Sequence, residues 1–403
     1  MKQHLFSNRD LRILLIPVVI EQILNALMGT VDTMMVSNVS SSAISAVSLV
    51  DSINVLVIQV FSALAAGGTI ICSQYMGQKD TQNATEAAKQ LVFIIGVISV
   101  VLTVICVVFQ IPILRLVFGQ VEDSVMRDSD TALSFPFIGI FNAGSSVFRA
   151  QENTRLPMVV SVISNGMNIV GNAILIFVFH MGVAGAAIST LVSRIFCAVV
   201  VMWYLRKPKQ EIVVRDYLKI RPHFGRIKMV LAVGIPTGIE NGMFQFGKLA
   251  IQSTVSTLGT AAIAAQAMTN ILENMNGIAA IGIGIGLMTI VGQCIGAGRK
   301  DEAIYYTKKL SWIAEIVVVI SCALVYVLAE GITQIGGMEP ESAKMCLFMM
   351  GWITVVKPIV WVLAFIPGYG MRAAGDVKFS MILSCISMWI FRVSLCVFLC
   401  RVM

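Results

Sequence analysis

PVVIEQILNALMGTVDTMMVSNV, residues Pro17 to Val39, is apolar enough to enter a bilayer, yet it carries Glu21, Asn25 and Asp32. A carboxylate near the bilayer centre costs about 3 kcal/mol on an insertion scale, so such a residue marks a functional site with a partner or a water-filled cavity beside it. Glu21 and Asp32 are eleven residues apart. At about 100° per residue that separation returns to within about 20° of the same direction, roughly 16 Å further along the axis. Asn25, Met28 and Gly29 fall between them. The stretch therefore reads as a helix with one polar stripe toward protein and an apolar remainder toward lipid, and Pro17 can kink its start.

The rest of the chain fits that environment. Its 403 residues are 57% hydrophobic and 13% charged, with a mean hydropathy of +0.86, far outside the soluble globular range. The expectation is an all-α integral membrane protein. The first apolar run is too long and too polar-striped for a cleaved signal, so no removable targeting peptide is expected. The nine cysteines lie in hydrophobic segments without metal-ligand or disulfide spacing and read as small packing residues. A net charge of +7 raises nucleic acid as a partner, but the basic residues sit between apolar runs with no aromatic-interleaved surface, so none is expected.

Apolar runs near the length of a bilayer crossing fall at 11–37, 43–75, 84–109, 131–149, 157–179, 183–205, 229–257, 261–295, 309–330, 342–371 and 379–402, which predicts eleven spans. Placing the N-terminus inside puts Lys2, Arg9, Arg12, Lys79, Lys89, Arg149, Arg155, the linker cations between Arg206 and Lys228, Arg299, Lys300, Lys308, Lys309, Arg372 and Lys378 on the cytoplasmic side. The outside receives Arg115, Arg127, Lys344 and Arg401, as the positive-inside rule requires.

The two sides of that linker resemble each other. Pro17 matches Pro236, Glu21 matches Glu240, Ala46 matches Ala265, Gly67 matches Gly286, Gln74 matches Gln293 and Lys89 matches Lys308, every pair 219 positions apart. Further on, Arg149 matches Arg372, Met158 matches Met381 and Ser161 matches Ser384, now 223 apart. One ungapped offset across three spans marks an internal repeat. An offset holding six spans returns to the same membrane side, so the repeats are parallel. The expected organisation is an N-terminal six-helix bundle over 1–205, a cytoplasmic basic linker over 206–228 and a C-terminal bundle over 229–403. That second bundle has five spans, the twelfth of a six-plus-six arrangement missing. The first half is about four residues shorter between its third and fifth spans, and the fourth span is the weakest, since RDSDTALSFPF passes from charge to apolar with little room.

Order, spacing and repeat together resemble a known family. The P-x-x-x-E-Q-x-x-x-x-x-x-G-T-V-D-T-M-M-V of the first span, Asn168 and Asn172, the GVAGAAIST run from Gly182 to Thr190 and the RAAGD of Arg372 to Asp376 look like the multidrug and toxic compound extrusion (MATE) transporters. The resemblance covers nearly the whole chain. It implies a cation-coupled antiporter in the cell (inner) membrane, exporting organic molecules in exchange for inward H⁺ or Na⁺. No other cofactor is implied, and the partners expected are membrane lipids and small organic substrates, with the chain a monomer. By resemblance the coupling ion uses Asp32, Asn168, Asn172 and Thr190, with Na⁺ a candidate at Asp32, Asn168 and Asn172, and Pro17 is the hinge. Asn168 and Asn172 share a helix face, and carboxylate, amide and hydroxyl oxygens suit a hard cation. Family members often carry a second Asp where this chain has Asn172, a departure that weakens the case for Na⁺ and strengthens that for a proton on Asp32 alone.

The repeat separates roles. Asp32 projects onto Ile251, Asn168 onto Phe391 and Asn172 onto Leu395, whereas Glu21 projects onto Glu240. Glu21 and Glu240 read as structural acids, and Asp32 as the functional one. In the seventh span Asn241, Gln245, Lys248 and Gln252 recur at helical spacing and read, with Glu273, as the lining of a substrate cavity. Lys248 needs a partner at that depth, and Glu240 or Glu273 can supply one. A membrane enzyme would show a constellation such as H-E-x-x-H or G-x-S-x-G, and neither occurs. A lipid-linked oligosaccharide flippase shares the two-bundle plan but calls for more cavity cations than Lys248 and Lys357.

Overall fold

The computed structural model describes residues 4–37, 41–109, 130–215, 217, 220–335 and 338–402, with side chains at 29–37, 41–53, 130–131, 183, 335 and 401–402 left aside. Eleven helical rods run through the described residues: α1 Asn8–Ser37, α2 Ser41–Gly77, α3 Thr81–Val108, α4 Phe135–Ala150, α5 Arg155–Asn172, α6 Gly182–Leu205, α7 Phe224–Val255, α8 Thr260–Gly296, α9 Lys300–Ile335, α10 Pro340–Ala373 and α11 Val377–Ile386. α5 continues through a π-helical stretch, Ala173–Val178. α11 does the same through Ser387–Val393 and on into Ser394–Val402. These rods coincide with the eleven apolar runs.

Nine of them, among the described residues, are long and apolar enough to cross a membrane. α4 and α7 fall short for different reasons. α4 has 16 residues, about 24 Å at 1.5 Å per residue, and gains length from the 3₁₀ turn Asp130–Ser134 before it. α7 is 32 residues long but carries Arg226, Lys228, Glu240 and Lys248.

The chain divides into two compact units, one of residues 8–235 and one of residues 236–403 together with 1–7. In the first, α2, α3 and α4 pack on one another, α6 covers α4 and α5, and α1 lies on α5. In the second, α8, α9 and α10 form the corresponding trio. Small residues let the rods close up: a Cβ on Gly68 would strike Leu91, and one on Gly144 would strike Val201. At the register of Gly144 the second unit has Pro367, which lines a groove of about 830 Å³ along α9 and α10.

The segments that precede the first helix of each half are bound in matching ways. Leu5 N donates to Glu302 Oε2 at 2.8 Å, Phe6 N donates to the Tyr306 hydroxyl at 2.9 Å, and that hydroxyl donates to Phe6 O at 2.8 Å, all on α9. On α3, Gln90 donates to Arg221 O and accepts from His223 N, both at 2.9 Å, and Arg226 reaches Asn83 at 2.8 Å. His4 and His223 are themselves 219 positions apart. The linker is thus fastened to the first unit at several points. Burial pushes the Tyr217 phenol up to about 12 while its hydroxyl donates to Met202 O at 2.7 Å. At the start of α3, the backbone N–H and then the side-chain amide of Asn83 hold the Asp80 carboxyl below its ordinary range.

Candidate functional site

Pro17 sits inside α1 and has no N–H for the carbonyl of Ile13. A hydroxyl from another helix compensates. Thr154, at the N-terminus of α5, approaches Ile13 O at 3.3 Å and Leu14 O at 2.9 Å. One turn beyond the proline, Arg149 Nη2 of α4 donates to Glu21 Oε1 at 2.6 Å, with Glu21 1% exposed. The break in α1 is therefore held on both sides. In the second unit Arg372 Nη2 donates to Glu240 Oε1 at 2.7 Å, and Ser384 donates to the same oxygen at 2.7 Å. The counterpart of Thr154 is Val377, so the break at Pro236 lacks that hydroxyl.

A second polar cluster of the first unit is not repeated at the matching positions of the second, where Phe391 and Leu395 stand for Asn168 and Asn172. Asn172 Nδ2 donates to Asn168 Oδ1 at 3.2 Å, Asn168 Nδ2 donates to Thr190 Oγ1 at 3.2 Å, and Ser189 Oγ donates to Asn168 O at 2.9 Å. Both asparagines are fully buried. An apolar surrounding makes such amides costly unless they bond one another, and here they do. The structure so brings together Asn168, Asn172 and Thr190 of the expected ion site. The side chain of Asp32, the remaining member, lies outside the described residues; its helix, α1, packs on α5, as does α6.

Among the expected cavity residues, Asn241, Gln245, Lys248 and Glu273 are half-buried and Gln252 is exposed. Of the two acids expected beside Lys248, Glu240 is engaged elsewhere and Glu273 is the one that acts on it electrostatically. Glu240 is taken by Arg372 and Ser384, and Glu273 lies 3.8 Å from Lys357 Nζ, which also donates to Glu273 O at 2.7 Å. Lys248 also stands over the ring of Phe244, 5.2 Å from its centroid. Arg392 approaches the same ring at 5.8 Å, a contact between distant helices that the sequence did not signal. Thr154 and the pairing of Arg149 with Glu21 were also missed. A signal for the pairing was present, since Glu21/Glu240 and Arg149/Arg372 are charges that the repeat keeps.

Spanning helices in two repeated units that share a buried ion pair define a multi-pass membrane protein built on an internal repeat. The chain belongs to the MatE family, whose model matches residues 17–174 and 236–398. It is 25% identical over 386 residues to the transporter YisQ of Bacillus subtilis, covering 93% of this chain and 83% of that one. It is 26% identical over 395 residues to a probable multidrug resistance protein NorM of Thermotoga maritima, covering 95% and 84%. Among solved structures, a MOP superfamily transporter from Pyrococcus furiosus superposes with a TM-score of 0.89 at 18% identity, covering 98% of this chain and 88% of that one. An outward-facing multidrug resistance MATE family transporter gives 0.88 at 17%, covering 96% and 86%.

Proposed function

We propose that the chain is a secondary active transporter that exports organic cations or drug-like compounds in exchange for inward H⁺ or Na⁺ by alternating access. Relatives carry names of that kind: probable multidrug resistance protein, and multidrug export protein MepA in Staphylococcus haemolyticus. The observation that carries the reading is the buried Asn172–Asn168–Thr190 chain of hydrogen bonds, present in one half of an otherwise repeated scaffold. On this reading the amide and hydroxyl oxygens of Asn168, Asn172 and Thr190 act together with the Asp32 carboxylate as a hard donor set that accepts either a proton on Asp32 or an alkali cation. Neutralising Asp32 lets α1 bend at Pro17 and closes the cavity, so ion and substrate exclude each other. Exchanging one monovalent cation for one ion cancels the membrane-potential term of about 2.3 kcal/mol per charge per 100 mV, leaving the ion gradient as the driving force.

The substrate meets Asn241, Gln245, Lys248, Gln252 and Glu273. The protein works as a monomer in the cell membrane, its N-terminus cytoplasmic as the loop charges indicate, with lipids and small organic substrates as its partners. Purified protein in liposomes tests the reading. Ethidium should move against its gradient when a proton or a Na⁺ gradient is imposed and stop when the gradient is collapsed; movement that ignores both gradients overturns ion-coupled exchange.

A further inference from the structure

We infer that the second unit holds a site for the anionic group of an amphipathic organic substrate, formed by Lys248, Lys357 and Arg392 around the rings of Phe244, Trp361 and Phe365. The inference rests on the export of drug-like compounds and names anionic amphipaths among them; exporting such an anion for an inward cation moves charge with an inside-negative potential, where a cationic substrate would cancel that term.

The six side chains form one connected cluster drawn from three helices. Lys248 and Arg392 stand over Phe244, and Lys357 stands over Trp361 at 5.4 Å. Trp361 stacks on Phe365 at 5.0 Å, and Phe365 meets Phe244 edge-on at 5.8 Å. α11 contributes Arg392 from its π-helical stretch, whose Trp389 indole donates to Met243 O on α7 at 3.1 Å and so fixes that stretch beside Phe244.

The charges do not balance. Glu273 is the acid of the cluster: Lys357 contacts its backbone oxygen and carboxylate, and Lys248 lies within its field, so one acid faces three cations. Among the described residues neither Lys248 nor Arg392 forms an ion pair. Cations on membrane helices normally find a counter-charge or mark a pathway, and contact with a ring face offsets only part of their desolvation. An arriving anion would supply the rest. One turn along α8 from Glu273, Asn276 is fully buried with neither side-chain atom bonded, another polar group on that helix without an internal partner.

The repeat argues against a scaffold role. Lys248, Lys357 and Arg392 project onto Gly29, Ser134 and Ile169, and Phe244, Trp361 and Phe365 onto Asn25, Ile138 and Asn142. The charges that hold helices together, Glu21 with Arg149 and Glu240 with Arg372, occur in both halves. A planar guanidinium and two ammonium groups suit a carboxylate or a phosphate oxygen pair, and the rings beside them suit an aromatic body. An aromatic carboxylate satisfies both requirements.

The test uses purified protein in phosphatidylcholine nanodiscs without any ion gradient, empty discs as the blank, and two matched probes: 1-pyrenebutyrate and its trimethylammonium analogue. The anion should bind about tenfold tighter than the cation, the smaller end of what a charge-assisted hydrogen bond contributes. Lys248→Gln with Arg392→Gln should remove that preference while melting like the parent. Glu273→Gln should tighten the anion, because it removes the one negative charge that competes for Lys248 and Lys357 while leaving the backbone contact of Lys357 in place, a gain that a purely structural cluster would not produce. Equal binding of the probes, an unchanged preference in the double variant, or weaker anion binding in Glu273→Gln overturns the assignment. So does phosphatidic acid binding where pyrenebutyrate does not, which would make the ligand a lipid headgroup. A preserved anion preference in a protein that shows no gradient-driven export leaves this site standing and removes the exchange mechanism instead.

Discussion

The two units set Glu21 against Arg149 and Glu240 against Arg372 at nearly the same distances, 2.6 and 2.7 Å, yet differ in the polar groups that mark the candidate sites. Where the first unit has Asn168 and Asn172, the second has Phe391 and Leu395; where the second has Lys248 and Lys357, the first has Gly29 and Ser134. The shared pair joins the first helix of each half to its fourth, which any copy of the bundle needs. The unshared groups hold no such contact in common. A duplicated scaffold thus separates what holds the bundle together from what was added to one copy.

Several changes would break or sharpen that comparison. The largest effect belongs to the shared pair: Arg149→Ala and Arg372→Ala each strand a buried carboxylate and should each cost about 3–5 kcal/mol, read as a fall in melting temperature of the reconstituted protein. Similar losses in both halves support a common scaffold, whereas an undisturbed melt in either variant breaks the symmetry claimed here. Asn168→Leu removes the hub between Asn172 and Thr190 and should cost about 1–3 kcal/mol for the amide left unbonded, with gradient-driven export lost as well. Export at the parent rate in that variant would place the coupling ion elsewhere. Thr154→Val should cost about 1 kcal/mol, since the carbonyls near Pro17 lose their donor. The reverse change in the other half, Val377→Thr, sharpens the point if it raises stability and weakens it if both changes are silent.

Much of this architecture was legible in the sequence because it rests on patterns local to the chain. Apolar runs placed all eleven rods, and the constant offset from Pro17 and Pro236 onward exposed the repeat. The weakness of the fourth span followed from the change of offset between the third and fifth spans. Asn168 and Asn172 could be set on one face from their spacing alone. The contacts that escaped are those whose partners are far apart in sequence and need a fold to meet. Nothing near Thr154 announces that it serves the carbonyls below Pro17, and nothing near Arg392 places it over Phe244. Counting acids at bilayer depth left Glu240 and Glu273 both open for Lys248; only the fold shows that Arg372 has taken Glu240 and that Lys248 shares Glu273 with Lys357.

The division of roles is tested most directly by comparing Asp32→Asn with Glu21→Gln in liposomes, reading gradient-driven accumulation of ethidium and the melting temperature of the same preparations. Asp32→Asn should melt like the parent and accumulate nothing, while Glu21→Gln should melt earlier and, below its melting range, still transport. Accumulation against a gradient by Asp32→Asn would contradict the account.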